Sequence, residues 1–152
     1  MEIVVHTMTY SGDIIPPPIL QIKNYCDYDY QEYKSVYNEC FFEMRTALKC
    51  FPVNCCPDRE ELKRRQNNIF ILRENKKLIG SVSIYDNEID DLVVAKQFQR
   101  QGYGQALLQF AISYMQKRGV SPIFLHVADW NQKAVKMYQK NNFQITKTEI
   151  VG

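Results

Sequence analysis

Hydrophobic and polar positions alternate with two different periods along this chain, and the switches between them mark its elements. Residues 2–9 hold Ile3, Val4 and Val5 with Thr7 and Thr9, a β-branched run that predicts a strand. Ser11 to Pro18 breaks the pattern with Gly12 and successive prolines. From about Asp29 to Lys49 the period becomes helical: Tyr33, Val36, Tyr37, Cys40, Phe41, Met44 and Leu48 recur at steps of three and four and form one apolar face. Pro52 is expected to end this helix. Cys55 to Asp58 reads as a turn, with Asp58 placed to cap a short charged helix over Arg59–Gln66. Two strands, Ile69–Arg73 and Leu78–Tyr85, flank the polar turn Glu74-Asn75-Lys76-Lys77, and Asp86-Asn87 makes a second tight turn. The next strand, Glu88–Ala95, carries Leu92, Val93 and Val94 without interruption, as suits a strand buried on both faces. A helix over about Gln105–Arg118 buries Leu107, Leu108, Ala111, Ile112 and Met115 and stops at Gly119. Strand Ile123–Ala128, helix Gln132–Lys140 ending near Asn141-Asn142, and strand Phe143–Val151 complete the chain.

The order strand, helix, three strands, helix, strand, helix, strand predicts an α/β protein of the α+β kind, a mixed sheet with helices on both faces. The unit from Glu88 to Ala128 is expected to be a right-handed parallel crossover. At 152 residues the chain fits a single domain, 1–152. A net charge of +2, with no long basic run, gives no case for nucleic acid. No apolar stretch approaches the roughly 20 residues that span a bilayer, so no membrane partner is expected. Met1-Glu2-Ile3-Val4-Val5-His6 does not resemble a signal peptide, and a cytoplasmic location is the expectation. The five cysteines, Cys26, Cys40, Cys50, Cys55 and Cys56, then read as reduced thiols. Adjacent Cys55-Cys56 lacks zinc-site spacing, so no metal is assigned.

The chemistry concentrates between Glu88 and Arg118. An apolar strand runs into Gln99-Arg100-Gln101-Gly102-Tyr103-Gly104, and a helix follows. Glycines let the main chain turn tightly beside a ligand. The first helical turn has N–H groups without intrahelical partners and a dipole that favours anions, so a pyrophosphate suits it. A Walker loop is absent, since no Gly-x-x-x-x-Gly-Lys-Ser/Thr string occurs. A dinucleotide fingerprint is poorly met: Leu107 stands where a third Gly or Ala is needed, and Asp129 is late for the ribose acid. Gln99-x-x-Gly102-x-Gly104 instead resembles the pyrophosphate loop of the GNAT superfamily, the GCN5-related N-acetyltransferases, written Gln/Arg-x-x-Gly-x-Gly/Ala. The stretch Asn131-Gln132-Lys133-Ala134-Val135-Lys136-Met137-Tyr138-Gln139-Lys140-Asn141-Asn142-Phe143 is similar to that family's C-terminal motif, with Asn142 where Gly is frequent. The resemblance covers about residues 69–148; residues 1–66 match in element order alone and would form the acceptor side.

The resemblance implies a GNAT fold, a mostly antiparallel sheet whose one parallel pair, the family's fourth and fifth strands, splays around the cofactor. Here that pair would be Glu88–Ala95 and Ile123–Ala128. It implies acetyl-CoA as cosubstrate, with the pyrophosphate on the loop Gln99, Arg100, Gln101, Gly102, Tyr103, Gly104 and Gln105. The pantetheine would pair with Leu92, Val93 and Val94 like an added strand. An amide near Val94 would polarise the thioester carbonyl. Asn131, Ala134 and Tyr138 share one helix face, with Asn131 and Ala134 as cofactor contacts and Tyr138 as the general acid for the leaving thiolate. Glu88, fourteen residues before Gly102, resembles the strand glutamate used as base in the histone-acetylating branch; a remote base reached through water, or none, stays open. Strand alternation places Glu88 and Asp90 on one face and Asp91 on the other. His126 is expected to be packed and hydrogen-bonded, and a few of Tyr25, Tyr28, Tyr30, Tyr33 and Tyr37, or Phe41 and Phe42, to line an acceptor pocket. The implied activity is direct transfer of acetyl to a primary amine of a small molecule or peptide. A silent CoA-binding sensor and a nicotinamide-binding protein are the alternatives. Family members often dimerise, so a homodimer is expected.

Overall fold

The structure, a computed structural model, describes residues 2–152. Its elements in chain order are β1 (Ile3–Tyr10), β2 (Ile22–Asn24), α1 (Tyr30–Ala47), α2 (Arg59–Arg64), β3 (Ile69–Glu74), β4 (Lys77–Tyr85), β5 (Glu88–Val94), α3 (Tyr103–Lys117), β6 (Phe124–Ala128), α4 (Gln132–Lys140) and β7 (Phe143–Val151). One seven-stranded sheet has the order β2-β3-β4-β5-β6-β1-β7, and β5–β6 is its parallel pair. The pair falls fifth and sixth along this chain because the three-residue β2, which the sequence pattern does not announce, precedes the hairpin. The N-terminal strand is also an interior one: β1 lies between β6 and β7, antiparallel to both.

The uninterrupted apolar runs are explained by two cores, one on each face of the sheet. In β3, Phe70 and Leu72 face α3, where Leu107, Leu108, Ala111, Ile112 and Met115 meet Val82, Ile84 and Ile89. Their neighbours Ile69 and Ile71 face α1 and α2, where Tyr33, Val36 and Tyr37 of α1 and Leu62 of α2 meet Leu78 and Val93. α3 packs closely because Gly80 has no side chain: a Cβ there would lie 2.5 Å from Val93 O and 2.9 Å from Leu107 Cδ1.

Local chemistry sets the boundaries. Asp58 accepts the Glu61 amide at 2.9 Å and caps α2 as expected. Asn75 and Lys76 both have positive φ (50° and 65°), the requirement of a two-residue turn that matches strand twist. Gly119 (φ 70°) and Asn142 (φ 68°) are the left-handed residues after α3 and α4. Pro52 does not end α1; the helix is already over at Ala47, and the chain leaves through Lys49 at φ 55°. α3 begins two residues before the predicted Gln105, directly after Gly102.

Two features open the middle of the sheet. β5 and β6 pair only at Glu88↔Phe124 and Ile89↔Leu125, then separate. On the far side, His6 holds the turn after β6, its Nε2 2.7 Å from Asp129 Oδ1 and its Nδ1 2.9 Å from Thr148 Oγ1. Among the described residues, no helix is long and apolar enough to cross a membrane.

Candidate active site

The loop between β5 and α3 is shaped by main-chain conformation. Arg100 (φ 64°) and Gly102 (φ 88°) are both left-handed, flanking Gln101. Such alternation turns successive amides into one concavity, an anion nest. Among the described residues no side chain caps α3, and its first internal bond from this end runs from Ala106 N to Gly102 O at 3.0 Å. The amides of Tyr103, Gly104 and Gln105 therefore face outward with the positive end of a fifteen-residue helix behind them. Gly104 lies 3.6 Å from Met137 Sδ and 3.8 Å from Val94 Cγ2, measured from an added Cβ, so the loop abuts both α4 and the end of β5. Tyr103 is anchored aside: its hydroxyl donates to Glu74 at 2.8 Å.

β5 presents a bare edge beside this loop. Ala95 N donates to Ile79 O at 2.9 Å, so the antiparallel phase points the polar groups of Val93 to β4 and those of Leu92 and Val94 to the edge that β6 has left. Val94 O is met there by the Gln99 side-chain amide at 2.9 Å and by Cys40 Sγ at 3.1 Å. Gln99 thus locks the strand end rather than extending to the loop mouth. A cleft of about 490 Å³ lies along the edge, lined by Leu92, Val93, Val94, Gln99, Asn131 and, from α1, Cys40 and Phe41. Lys96, Lys133, Glu39 and Glu43 also line it, with the Lys96 amide donating to Glu39 at 3.2 Å, and Trp130 stands at its rim, 45% exposed.

α4 supplies the remaining predicted residues. Asn131 accepts the Ala134 amide at 3.2 Å, which caps the helix and fixes its start at the cleft. Tyr138, two turns on, is partly buried with its ring 6.1 Å from Phe143, and its hydroxyl makes no hydrogen bond among the described residues. Burial first, and then the nearby Asp90 carboxylate, push its pKa up to about 12, so the phenol keeps its proton at neutral pH.

The acidic end of β5 departs from the alternation argument. Register passes from Ser83↔Asp90 to Ser81↔Val93, so Asp91 and Leu92 together oppose Val82. This is a β-bulge, and Asp91 adopts φ 46° within it. One extra residue reverses the parity: Ile89 belongs to the α3-side core and Val93 to the α1-side core. Asp91 consequently shares the α1-side surroundings of Tyr33 and Tyr37 and is not set apart from Asp90 on the opposite face. Glu88 sits at the closed, paired end of the strand, 2.9 Å from His126 Nδ1. His126 is hydrogen-bonded as expected but not packed, its side chain being 46% exposed. Phe41 lines the cleft, whereas Phe42 is exposed.

Leu92–Val94, Gln99 and Asn131 line one cleft; the 100–105 loop abuts the end of β5 beside it, Tyr138 lies two turns along α4 from Asn131 against Phe143, and Glu88 stays at the closed end of the strand. Cys40 and Trp130 belong to the cleft as well. Neither was legible in the sequence, because each arrives through tertiary packing; only the helical spacing of Cys40 placed it on the inward face. Among the described residues no group of three metal-ligating side chains occurs.

Comparison with known proteins identifies the family and the fold. The model of the acetyltransferase (GNAT) family matches residues 30–143. The [ribosomal protein bS18]-alanine N-acetyltransferase of Escherichia coli K12 is 33% identical over 78 residues, 49% of this chain and 53% of that protein. The mycothiol acetyltransferase of Propionibacterium freudenreichii is 35% identical over 63 residues, 41% of this chain and 20% of that one. The matched segment thus spans about half, or less, of these curated relatives. Among solved structures, the PaiA N-acetyltransferase of Thermoplasma acidophilum, in complex with coenzyme A, superposes with a TM-score of 0.72 at 20% identity, covering 87% of this chain and 94% of that one. A GNAT-family acetyltransferase from Novosphingobium aromaticivorans gives 0.73 at 15% identity, covering 99% and 63%.

Proposed function

This chain belongs to the acetyltransferase (GNAT) family, and from that premise we propose that it is an N-acetyltransferase that carries acetyl from acetyl-CoA to a primary amine. The observation that carries the reading is the outward-facing turn of amides at Tyr103, Gly104 and Gln105 beside the bare edge of β5. The amides of residues 100–105 hold the pyrophosphate, and the polar groups of Leu92 with the Val94 N–H pair with the pantetheine arm as a strand would, Val94 O being held by Gln99 and Cys40. The Leu92 N–H, at the far end of the same open edge from the anion loop, polarises the thioester carbonyl. Acetyl-CoA supplies the activated acyl group; the protein supplies position and protons.

Tyr138 is the proton donor to the leaving sulfur. Its raised pKa suits an acid that must remain protonated until sulfur takes the proton. Glu88, paired with His126, is the basic group of the site. It acts at a distance, because β5 rises about 3.3 Å per residue and Glu88 lies roughly 13 Å before Leu92. Direct transfer is supported by the state of Cys40, the thiol that lines the cleft. Burial raises its pKa to about 11, so it is a protonated donor to Val94 O and a poor nucleophile.

The test is a thiol-release assay with acetyl-CoA and three amine classes: an alanine-initiated peptide, a polyamine and an aminoglycoside. The proposal expects amine-dependent release of one free thiol per acetylated product. Binding of CoA with no release for any amine would instead favour a silent CoA-binding module.

A further inference from the structure

We propose that Asp91, three residues nearer the cleft than Glu88, takes the first proton from the acceptor amine. The inference rests on the acetyltransferase reading and adds the residue that reading lacks.

The position is unusual in three independent ways. Asp91 holds φ 46° in a bulge, a place that glycine fills without strain, so a side chain kept there calls for a reason. The bulge falls between Ile89, the last residue paired with β6, and Leu92, the first residue lining the cleft. That is where a thioester would end if its pantetheine lay along Leu92–Val94. Second, the Asp91 carboxylate makes no hydrogen bond and no ion pair among the described residues. Third, Ser81 and Ser83 flank the bulge on β4, on the face where their partners Ile69, Ile71 and Val93 meet α1. Both hydroxyls are fully buried and without a partner. A buried polar strip of this kind is costly unless something polar occupies the space before it.

The surroundings give Asp91 the properties of a base at neutral pH. The charged and titratable groups whose charges act on it are Tyr33, Tyr37 and Arg45 of α1, Cys56 of the following loop, Arg65 after α2, Tyr85 of β4, and Asp90 and, more weakly, Glu88 of β5. Neither arginine pairs with it: Arg45 donates to Tyr37 and to Val53 O, each at 3.2 Å, and Arg65 donates to Glu61 at 2.8 Å. Burial, followed by the Asp90 charge, raises the Asp91 pKa to about 7. A primary ammonium with an ordinary pKa of about 10.4 is almost wholly charged at that pH. Becoming an amide, it sheds two protons. The first goes to Asp91, which frees the nitrogen lone pair, and leaves Asp91 for solvent. The nitrogen then bonds to the thioester carbon, and the C–S bond breaks. The second proton replaces the one that Tyr138 gives to sulfur.

Asp91→Gly and Asp91→Asn test this. Glycine suits the left-handed bulge, so Asp91→Gly should melt no lower than the natural protein and bind CoA within twofold. Its kcat/KM for an alanine-initiated peptide, or for whichever of the three amine classes reacts best, should fall about a hundredfold or more. The limb of the pH profile that rises through about pH 7 should vanish in both variants. Titration of the carboxyl carbons by NMR should show one aspartate with a midpoint near 7 that Asp91→Asn removes. Unfolding gives a second readout with a fixed sign. A carboxyl whose pKa is raised by folding holds a proton that the unfolded chain has already lost between about pH 4 and 7, so stability declines across that window and levels above it. Asp91→Asn should abolish the decline. A natural protein active on amines, with Asp91→Gly equal to it in rate and pH profile, overturns the proposal alone; no thiol release from the natural protein overturns the acetyltransferase reading with it.

Discussion

The two sides of β5 hold their chemistry in different ways. On the edge beside α3, the site is made of main chain: turned-out amides at 100–105, the polar groups of Leu92 and Val94, and a helix dipole. Toward α1 it is made of side chains: Asp91 in its bulge, the buried ring of Tyr33 against Tyr37, and Arg45 over both Tyr37 and Phe41. A main-chain site constrains sequence only where the chain must turn or come close, so a few glycines declare it. A side-chain site has no such constraint and can be changed residue by residue. The first kind leaves a mark in the spacing of glycines; the second leaves none.

Substitutions on each side sharpen this contrast. The largest effect is expected from Tyr138→Phe, which removes the proton donor and leaves the ring against Phe143: turnover should fall about a hundredfold to ten-thousandfold, while CoA affinity stays within twofold. Equal loss of CoA binding would place Tyr138 in recognition and not in catalysis. Next comes Asp29→Ala on the α1 side. Asp29 is nearly buried and binds the Cys26 amide at 2.9 Å and the Arg73 guanidinium at 2.7 and 3.0 Å. Arg73 keeps Glu32 at 2.8 Å, so the loss should be about 2–3 kcal/mol, near the low end for breaking a buried pair, read as a lower urea midpoint. CoA affinity of the folded variant should not change, since the anion loop is untouched. A large change would mean that the two sides are coupled.

Most of the fold was legible because period reports burial. The two-faced run through Leu92–Val94 predicted a central strand, and the stripe from Leu107 to Met115 predicted α3. The turn into α3 was legible because Gly102 stands where φ is positive. β2 was not legible, because three residues cannot establish a period. Nor was the insertion of β1 between β6 and β7, which depends on long-range register. The bulge at Asp91 was missed because strict alternation was assumed through a segment with one residue too many. Cys40, Trp130 and the Glu88–His126 pair come together only when distant elements pack.

The central claim is that the main chain at residues 100–105 grips the diphosphate of CoA. Calorimetric titration of the natural protein with CoA tests it most directly, together with Gly102→Ala, where φ 88° should cost alanine about 1–2 kcal/mol and weaken binding about tenfold. Trp130 at the cleft rim supplies a parallel fluorescence signal, as it is the protein's one tryptophan. The account predicts saturable binding of CoA, much weaker binding of dephosphorylated pantetheine, and a loss on Gly102→Ala that reads as affinity and not as folding. Equal affinity for CoA and pantetheine, or no saturation by CoA at all, would contradict it.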